Sequence, residues 1–564
     1  MNIKSILAAR IEATFAKLGL EGAALIQAAG RPEYGDYQSN GIMAAAKRAG
    51  KKPREVAADV VANLDLADIA EPIEIAGPGF LNITLLPEFV SQAMAGQVST
   101  TPDPQTVVVD YSAPNLAKEM HVGHLRTTII GDCMARVLEA QGNRVIRQNH
   151  VGDWGTQFGM LLTYLADTGE DSDELANLED FYRAAKQRFD EDVDFQDRSR
   201  HAVVGLQSGD PQALAQWQRF IKISMHHCQE IYDRLDVTLR PEDTQGESSY
   251  NDDLVPVIND LRAKGLLQES EGAQCVFLDE FKTKKGEVLP VIVQKADGGF
   301  LYATTDLAAI RYRTRTLNAD RVLYFVDARQ ALHFKQIFAV SEAADFNSNG
   351  ASLEHMPFGT MLGKDNKPFK TRAGGLVKLS DLLDEAELRA EKLLTQNNPD
   401  LSEDELRSLA TIIGIGSIKY AELSKNRTSD YVFDWDQMIT FEGNTAPYMQ
   451  YAYARIQSIF RRGEIDVASL ASHPVPVEPQ ERRLAVAIAG FSDVVEQVAA
   501  EGYPHYLCGH LYDIATRFTQ FYDACPILPS EGEVRHRRLS LAHNTALTLK
   551  AGMDLLGIGV VDRM

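Results

Sequence analysis

The run Val107-Val108-Val109-Asp110-Tyr111-Ser112-Ala113-Pro114-Asn115-Leu116-Ala117-Lys118-Glu119-Met120-His121-Val122-Gly123-His124 decides how this chain is read. Its first four residues form a β-branched strand signal that ends on a carboxylate. Beyond it, Leu125, Ile129, Met134, Val137 and Leu138 give one apolar helical face from about Val122 to Gln141, and Gly142 is a natural stop. A lysine, a glycine and two histidines therefore fall where a strand hands over to a helix N-terminus. Unpaired backbone N–H groups and the positive end of the helix dipole favour phosphate there. Imidazoles in that position can follow charge that grows on a phosphate during reaction, as cations or as hydrogen-bond donors. Gly123 has no side chain to hold a flat base away from the backbone. The same His-x-x-His spacing also serves as a helix cap or a stray metal site, and these residues alone leave both readings open.

The chain has 564 residues, enough for three or four domains, and its 45% hydrophobic content is ordinary for globular proteins. No stretch has the apolar length of a membrane span and no signal-peptide pattern opens the chain, so no membrane association is expected. The five cysteines are scattered with no Cys-x-x-Cys pair, which predicts reduced thiols, no structural zinc and a cytoplasmic location. A net charge of −22 argues against bulk attraction to nucleic acid, so RNA binding would have to rest on local basic strips. Twelve acids between Asp167 and Asp197, against Arg183, Lys186 and Arg188, read as a solvated helical insertion.

Four regions follow. Residues 1–105 read as a small α/β unit, with a helix over Lys4–Leu18, a helical pattern over 41–64, a strand after Pro78-Gly79, and a linker at Ser99–Pro104. Its basic neighbourhood (Tyr34, Tyr37, Lys47, Arg48, Lys51, Lys52, Arg54) is either a solvated helix end or a contact for RNA phosphates and an unstacked base. Residues 106–380 carry apolar strand signals at 107–110, 144–148, 275–278, 289–293 and 322–326, which predicts an α/β parallel sheet with crossover helices, interrupted by a helical insertion over about 165–270. In such sheets ligands sit at the carboxyl ends of the strands, where the 112–124 turn falls. Residues 381–445 read as helices with loops, including Glu403–Leu423 and Thr428–Met438, and residues 446–564 as almost wholly helical.

Two further clusters carry chemistry. Tyr302 and Asp306, in Phe300–Ala309, are one helical turn apart and can face one pocket. A carboxylate pairs with a guanidinium fork and an aromatic ring stacks on its face, so the pair suits an arginine-like ligand, with Asp110 a second candidate carboxylate. Asp306 also reads as an early-turn helix acid. The segment Gly359–Gly375, basic through Lys364, Lys367, Lys370 and Arg372, is either an exposed hairpin or a mobile loop that closes over a triphosphate. In the C-terminal region, Tyr448 and Tyr451 either pack the helices or stack on unpaired bases beside Arg455. From Ala446 onward eleven bases face thirteen acids, and ten of those bases are Arg, which fits shaped contacts better than diffuse attraction.

The His-x-Gly-His turn resembles the HIGH motif of class I aminoacyl-tRNA synthetases, and the preceding Ser-x-Pro-Asn-x-Ala-Lys resembles arginyl-tRNA synthetases in particular. The resemblance spans nearly the whole chain. It implies a Rossmann-like class I catalytic domain (106–380), a small N-terminal tRNA-contacting domain (1–105), a helical connecting region (381–445) and an all-α anticodon-binding domain (446–564). It implies ATP-dependent joining of L-arginine to tRNA(Arg) through an arginyl-adenylate, with Mg²⁺ accompanying ATP, in a monomer. Carried over residue by residue, it assigns arginine binding to Asp110, Ser112, Asn115, Tyr302, Asp306 and Gln330. ATP binding falls to Asn115, Lys118, His121, Gly123, His124, Gly359, Met361, Lys364 and Lys370. His121, His124, Lys118, Lys370 and Arg372 take the catalytic roles, and Tyr34, Tyr37, Tyr448, Tyr451 and Arg455 the tRNA contacts. The 363–375 loop stands where KMSKS is expected and departs from it, and Lys118 is the family's substitute for the missing second lysine. Asn149–Gly159 reads as wall and turn. Another nucleotidyl-transferring enzyme, or a synthetase-derived RNA-binding protein, remain the alternative classes.

Overall fold

Thr106–Asp110 lies at the centre of a four-stranded parallel sheet, in the order Ser352–His355, Arg321–Tyr324, Thr106–Asp110, Arg144–Gln148. The computed structural model describes residues 1–94, 98–169, 178–347, 349–369, 377–397, 401–470 and 473–564. Val107, Val108 and Val109 are buried without alternation, as a strand covered on both faces requires. The helix Leu125–Ala140 crosses from the central strand to Arg144–Gln148, and it packs closely because Gly131 faces Tyr111, where an added Cβ would stand 2.2 Å from the tyrosine Cβ. The next strand in sequence lies on one side of Thr106–Asp110 and a strand of the second half on the other. Strand order therefore reverses at Asp110, which puts the 112–124 turn at the switch point where such sheets hold ligands.

The chain forms two compact units. The one that holds this sheet comprises Thr101–Lys392 and Ser417–Met438. Between its sheet halves run the helices Thr156–Thr168, Leu178–Glu191, Val193–Gln207, Pro211–Arg234 and Asn251–Ala263. The strand signals at 275–278 and 289–293 do not join the parallel sheet. Ala273–Lys282 and Val288–Gln294 form an antiparallel meander with Leu267–Ser270, because a hairpin turn at Thr283–Glu287 joins them in place of a crossover helix. The fourth parallel strand, Ser352–His355, is too polar to be read from hydropathy. The helix expected over Thr428–Met438 is absent: Tyr431–Val432 pairs in parallel with Met361–Leu362, and the Asp430 carboxylate accepts from Thr360 N–H at 2.6 Å, leaving only Trp435–Met438 helical.

The other unit comprises Met1–Thr100, Leu393–Gly416 and Ile439–Met564. Its N-terminal part has the helix Ile3–Lys17 and an antiparallel sheet ordered Ile26–Ala28, Tyr37–Ser39, Phe80–Ile83, Glu74–Ala76. The helical pattern at 41–64 is two helices, Ile42–Arg48 and Pro53–Asn63, parted where Gly50 takes φ +65° and Pro53 starts the second. The C-terminal part is a bundle of Ala446–Arg462, Pro479–Ala489, Phe491–Glu501, His505–Ala524 and Gly532–Leu555. All five cysteines are buried and free.

Candidate active site

The chain turns sharply after Asp110. Ser112 and Ala113 both take positive φ (+70° and +47°), which costs about 1–2 kcal/mol for each non-glycine residue. Strain of this kind collects at functional turns. Interior bonds hold it: Ser112 N–H donates to Thr127 Oγ1 at 3.1 Å, and Ala113 N–H to Asn149 Oδ1 at 3.0 Å. The chain then runs beside Gly152, whose added Cβ would stand 2.1 Å from Asn115 Oδ1, so only glycine lets the asparagine lie there.

The two histidines cap the helix reciprocally. His121 Nδ1 accepts from Gly123 N–H at 3.0 Å, and His124 Nδ1 accepts from His121 N–H at 3.1 Å, with the rings 4.1 Å apart. An Nδ1 that accepts leaves the ring proton on Nε2. Burial first, then the neighbouring His121 and Lys118, push His124 down to about 3, so it is neutral near pH 7. The turn therefore offers neutral N–H donors, and the cationic reading of His124 is set aside. Lys118 is exposed, with Nζ 4.8 Å from the centre of the Tyr182 ring.

Tyr302 and Asp306 meet on one face of Tyr302–Arg311, and the helix Ala331–Ala343 brings His333 against both. His333 Nε2 is 2.6 Å from Asp306 Oδ2, and its ring centre is 5.1 Å from that of Tyr302. Gln330, exposed, precedes this helix by one residue. Two more acids belong to this neighbourhood. Asp153 is 5% exposed and accepts from Ser248 N–H at 2.9 Å and Ser248 Oγ at 2.6 Å. Burial, then repulsion from Asp153 and Asp306, pushes the Glu247 carboxyl up to about 7. No described cation pairs with Glu247. The site thus holds more negative charge than it neutralises, a mismatch that a cationic ligand relieves.

Residues 86–435 match the family model "tRNA synthetases class I (R), catalytic domain", residues 1–85 match "Arginyl tRNA synthetase N terminal domain", and residues 449–564 match "DALR anticodon binding domain". The arginine--tRNA ligase of Marinomonas sp. (strain MWYL1) is 56% identical over 577 residues, and that of Hahella chejuensis 54% over 579, each covering 100% of both chains. The chain belongs to the arginyl-tRNA synthetase family. The solved arginyl-tRNA synthetase of Plasmodium falciparum superposes with a TM-score of 0.87 at 29% identity, covering 100% of this chain and 99% of that one. The Thermus thermophilus structure has the same fold, with a TM-score of 0.87 at 23% identity over 100% of both chains.

Of the arginine- and tRNA-binding residues expected from sequence, three are interior. Asp110 is 4% exposed, its Oδ2 2.7 Å from a terminal nitrogen of the buried Arg313, whose Nε donates to Gln148 at 2.6 Å. Its charge is already matched, so it is not the open carboxylate it was expected to be. Ser112 is buried, its hydroxyl 2.8 Å from Tyr232 OH and accepting from Thr128 Oγ1 at 3.0 Å. Tyr37 is 3% exposed and donates to Asp493 Oδ2 at 2.9 Å. Strand alternation turns it inward, which removes it from the set of stacking residues. Tyr34 is exposed.

Gly359 starts the segment that leads into the lysine-rich loop. A Cβ there would stand 2.6 Å from the Ser429 carbonyl oxygen. Met361 is buried, and Lys364 Nζ lies 3.3 Å from Asp434 and 3.9 Å from Asp436. Lys370 and Arg372 lie outside the described residues. In the other unit, Tyr451, Arg455, Arg461, Arg462, Tyr522 and Arg563 are among the residues that line a cavity of about 500 Å³. The Arg455 guanidinium stands 4.3 Å over the Tyr522 ring, whereas the half-buried Tyr448 packs on Tyr512 at 5.6 Å. Asn149–Gly159, expected from sequence to be wall and turn, supplies His150, whose Nδ1 is 3.9 Å from Asp110 Oδ2, and Asp153. Sequence reading missed Asp153 and Glu247. The only signals for them were Gly152-Asp153 in a glycine-rich turn and a Gly-Glu-Ser-Ser run inside an acidic stretch.

Proposed function

We propose that this chain joins L-arginine to tRNA(Arg) at the expense of ATP, through an arginyl-adenylate. The observation that carries the substrate is the surplus of negative charge among Asp306, Glu247 and Asp153, next to a turn built for phosphate. Asp306, oriented by His333, pairs with the guanidinium fork, and Tyr302 stacks on its face. Glu247 and Asp153 supply the remaining negative field, Asn115 and Gln330 orient the amino acid, and Asp110 acts from behind through Arg313 and His150.

The arginine carboxylate attacks the α-phosphorus of ATP, and pyrophosphate leaves. A ribose hydroxyl at the tRNA 3′ end then attacks the acyl carbon of the adenylate, and AMP leaves. No covalent enzyme intermediate is involved, so catalysis is positioning and charge stabilisation. The Nε2–H groups of His121 and His124, with Lys118, serve the phosphate oxygens, and Gly123 leaves room for the adenine-bearing nucleoside. Gly359 and Met361 line the nucleotide side, and Lys364, Lys370 and Arg372 meet the leaving pyrophosphate. Magnesium would accompany ATP as its counter-ion and would supply positive charge beside the phosphate oxygens.

Tyr451 and Arg455, at the C-terminal cavity, take unstacked anticodon bases and phosphates, with Tyr448 behind them and Tyr34 a contact in the N-terminal domain. Among the described residues no helix is long and apolar enough to cross a membrane. The cytoplasmic location and the monomeric state expected from sequence are part of this proposal. The domain limits drawn from sequence stand as part of this proposal. Aminoacylation with radiolabelled arginine and tRNA(Arg), against lysine and canavanine as competing amino acids, tests it: charging with lysine in preference to arginine overturns it.

A further inference from the structure

Arg126 follows His124 by two residues, in the first turn of the helix Leu125–Ala140, and its side chain points inward and is 2% exposed. Its Nε lies 2.5 Å from Oε1 of Glu422, which is fully buried. One terminal nitrogen donates to the Ser429 carbonyl at 3.2 Å, and the guanidinium stands 5.2 Å over the Tyr431 ring and 6.0 Å over that of Phe358. Tyr431 OH donates to the other Glu422 oxygen at 2.7 Å. One arginine therefore gathers the helix Leu125–Ala140, the helix Glu403–Leu423, the turn at 429–431 and the strand entry at 358.

These contacts bear on the reaction because of what Tyr431 holds. Tyr431–Val432 is the backbone partner of Met361–Leu362, and Gly359 N–H donates to the Arg427 carbonyl at 2.8 Å. The segment that ends on Lys364 is thus held by 427–432, and 429–431 is held by Arg126. Val377–Leu379 joins the same turn directly: Val122 N–H donates to Val377 O and Leu379 N–H to Met120 O, both at 3.0 Å.

As a stabilising device the pair is poor. Arg126 Nε and one terminal nitrogen, and Glu422 Oε1, have no aligned hydrogen bond although all are buried. Two buried charges with incomplete bonding return less than apolar residues of the same volume. What an ion pair supplies that apolar packing does not is a fixed direction and distance.

We propose that Arg126, Glu422 and Tyr431 are positioning residues that set the distance between the histidine turn and the Met361–Lys364 segment, and so govern nucleotide turnover without touching substrate. This rests on the function proposed above. The test is steady-state aminoacylation by the full chain with Glu422→Gln, and with the apolar pair Arg126→Met plus Glu422→Leu. The expected result is a fall in kcat of at least tenfold in both, with KM for arginine within twofold of wild type, and a melting temperature for the apolar pair equal to or above wild type. Wild-type kcat in the folded apolar pair overturns the proposal, as does a matched rise in both KM values with kcat unchanged. If the apolar pair fails to fold, Glu422→Gln decides by the same criteria. Absence of arginylation by the wild-type chain is the separate failure, that of the underlying function.

Discussion

Asp306 and His333, on different helices, meet at 2.6 Å between a carboxylate oxygen and Nε2. The imidazole fixes one oxygen of Asp306 and leaves the other for a ligand, with Tyr302 alongside. Replacing Asp306 by Asn keeps the shape and removes the charge. Losing a charged hydrogen-bonded pair costs about 2–4 kcal/mol, so kcat/KM for arginine should fall about 30- to 1000-fold. KM for ATP should stay within about threefold, since Asp306 does not serve the phosphates. His333→Ala, which loses orientation only, should cost about tenfold in the same ratio. Steady-state kinetics with each substrate varied checks both; unchanged arginine kinetics in Asp306→Asn would remove the pocket assignment.

Glu247 sets a pH dependence. Its carboxyl is pushed up to about 7 by burial and by the neighbouring acids. Arginine stays cationic throughout, and the carboxylate is the form that attracts it. Binding is therefore strongest above pH 7 and weakens as Glu247 takes up a proton below it. A single ionisation of this kind predicts up to about a tenfold rise in KM for arginine from pH 8 to pH 6. Glu247→Gln should flatten that profile and raise KM throughout. A profile with the same slope in the variant assigns the ionisation elsewhere.

His124 should not titrate in the working range, because it is pushed down to about 3. His124→Ala should lower kcat by about 10²- to 10³-fold, the usual loss for one preorganised donor to a developing oxyanion. The variant's kcat should follow wild type in shape from pH 5 to pH 8. An ionisation near 6 that disappears with His124→Ala would show that this histidine acts as a cation after all.

Tyr37 separates packing from recognition. Tyr37→Phe leaves Asp493, 3% exposed, without its hydroxyl donor, which should cost about 1–3 kcal/mol of stability. KM for tRNA should not change. Urea unfolding, with tRNA titrated in aminoacylation, reads both; a selective rise in KM for tRNA at full stability would return Tyr37 to the RNA contacts.

Tyr451→Ala and Arg455→Ala should raise KM for tRNA about 5- to 100-fold, the range for a lost base stack or phosphate contact, and leave KM for arginine unchanged at saturating tRNA. Arg455→Lys should recover little, because a lysine ammonium cannot reproduce the guanidinium stack on Tyr522. Equal effects on both substrates would point to a folding defect.

Local chemistry settled much of this molecule in advance. The valine run, the helix face after Val122 and the glycine and histidines between them are short-range signals, and the strand, the turn and the capped helix follow from neighbours in the chain. The same holds for the spacing of Tyr302 and Asp306, since one helical turn brings them onto one face wherever the helix goes. Pairing between distant segments was not legible. Whether Ala273–Lys282 joins a parallel sheet or an antiparallel meander depends on which partner it finds, and its own apolar pattern suits both. Partners also decided the fate of individual charges. Asp110 reads as an open carboxylate until Arg313, some two hundred residues on, is folded against it. Glu247 reads as one more surface acid until burial beside Asp153 and Asp306 changes its proton affinity. Sequence sets what each side chain can do, because bonding capacity and helical spacing are local. Only tertiary structure sets what each one meets, because burial and charge pairing depend on residues far away in the chain.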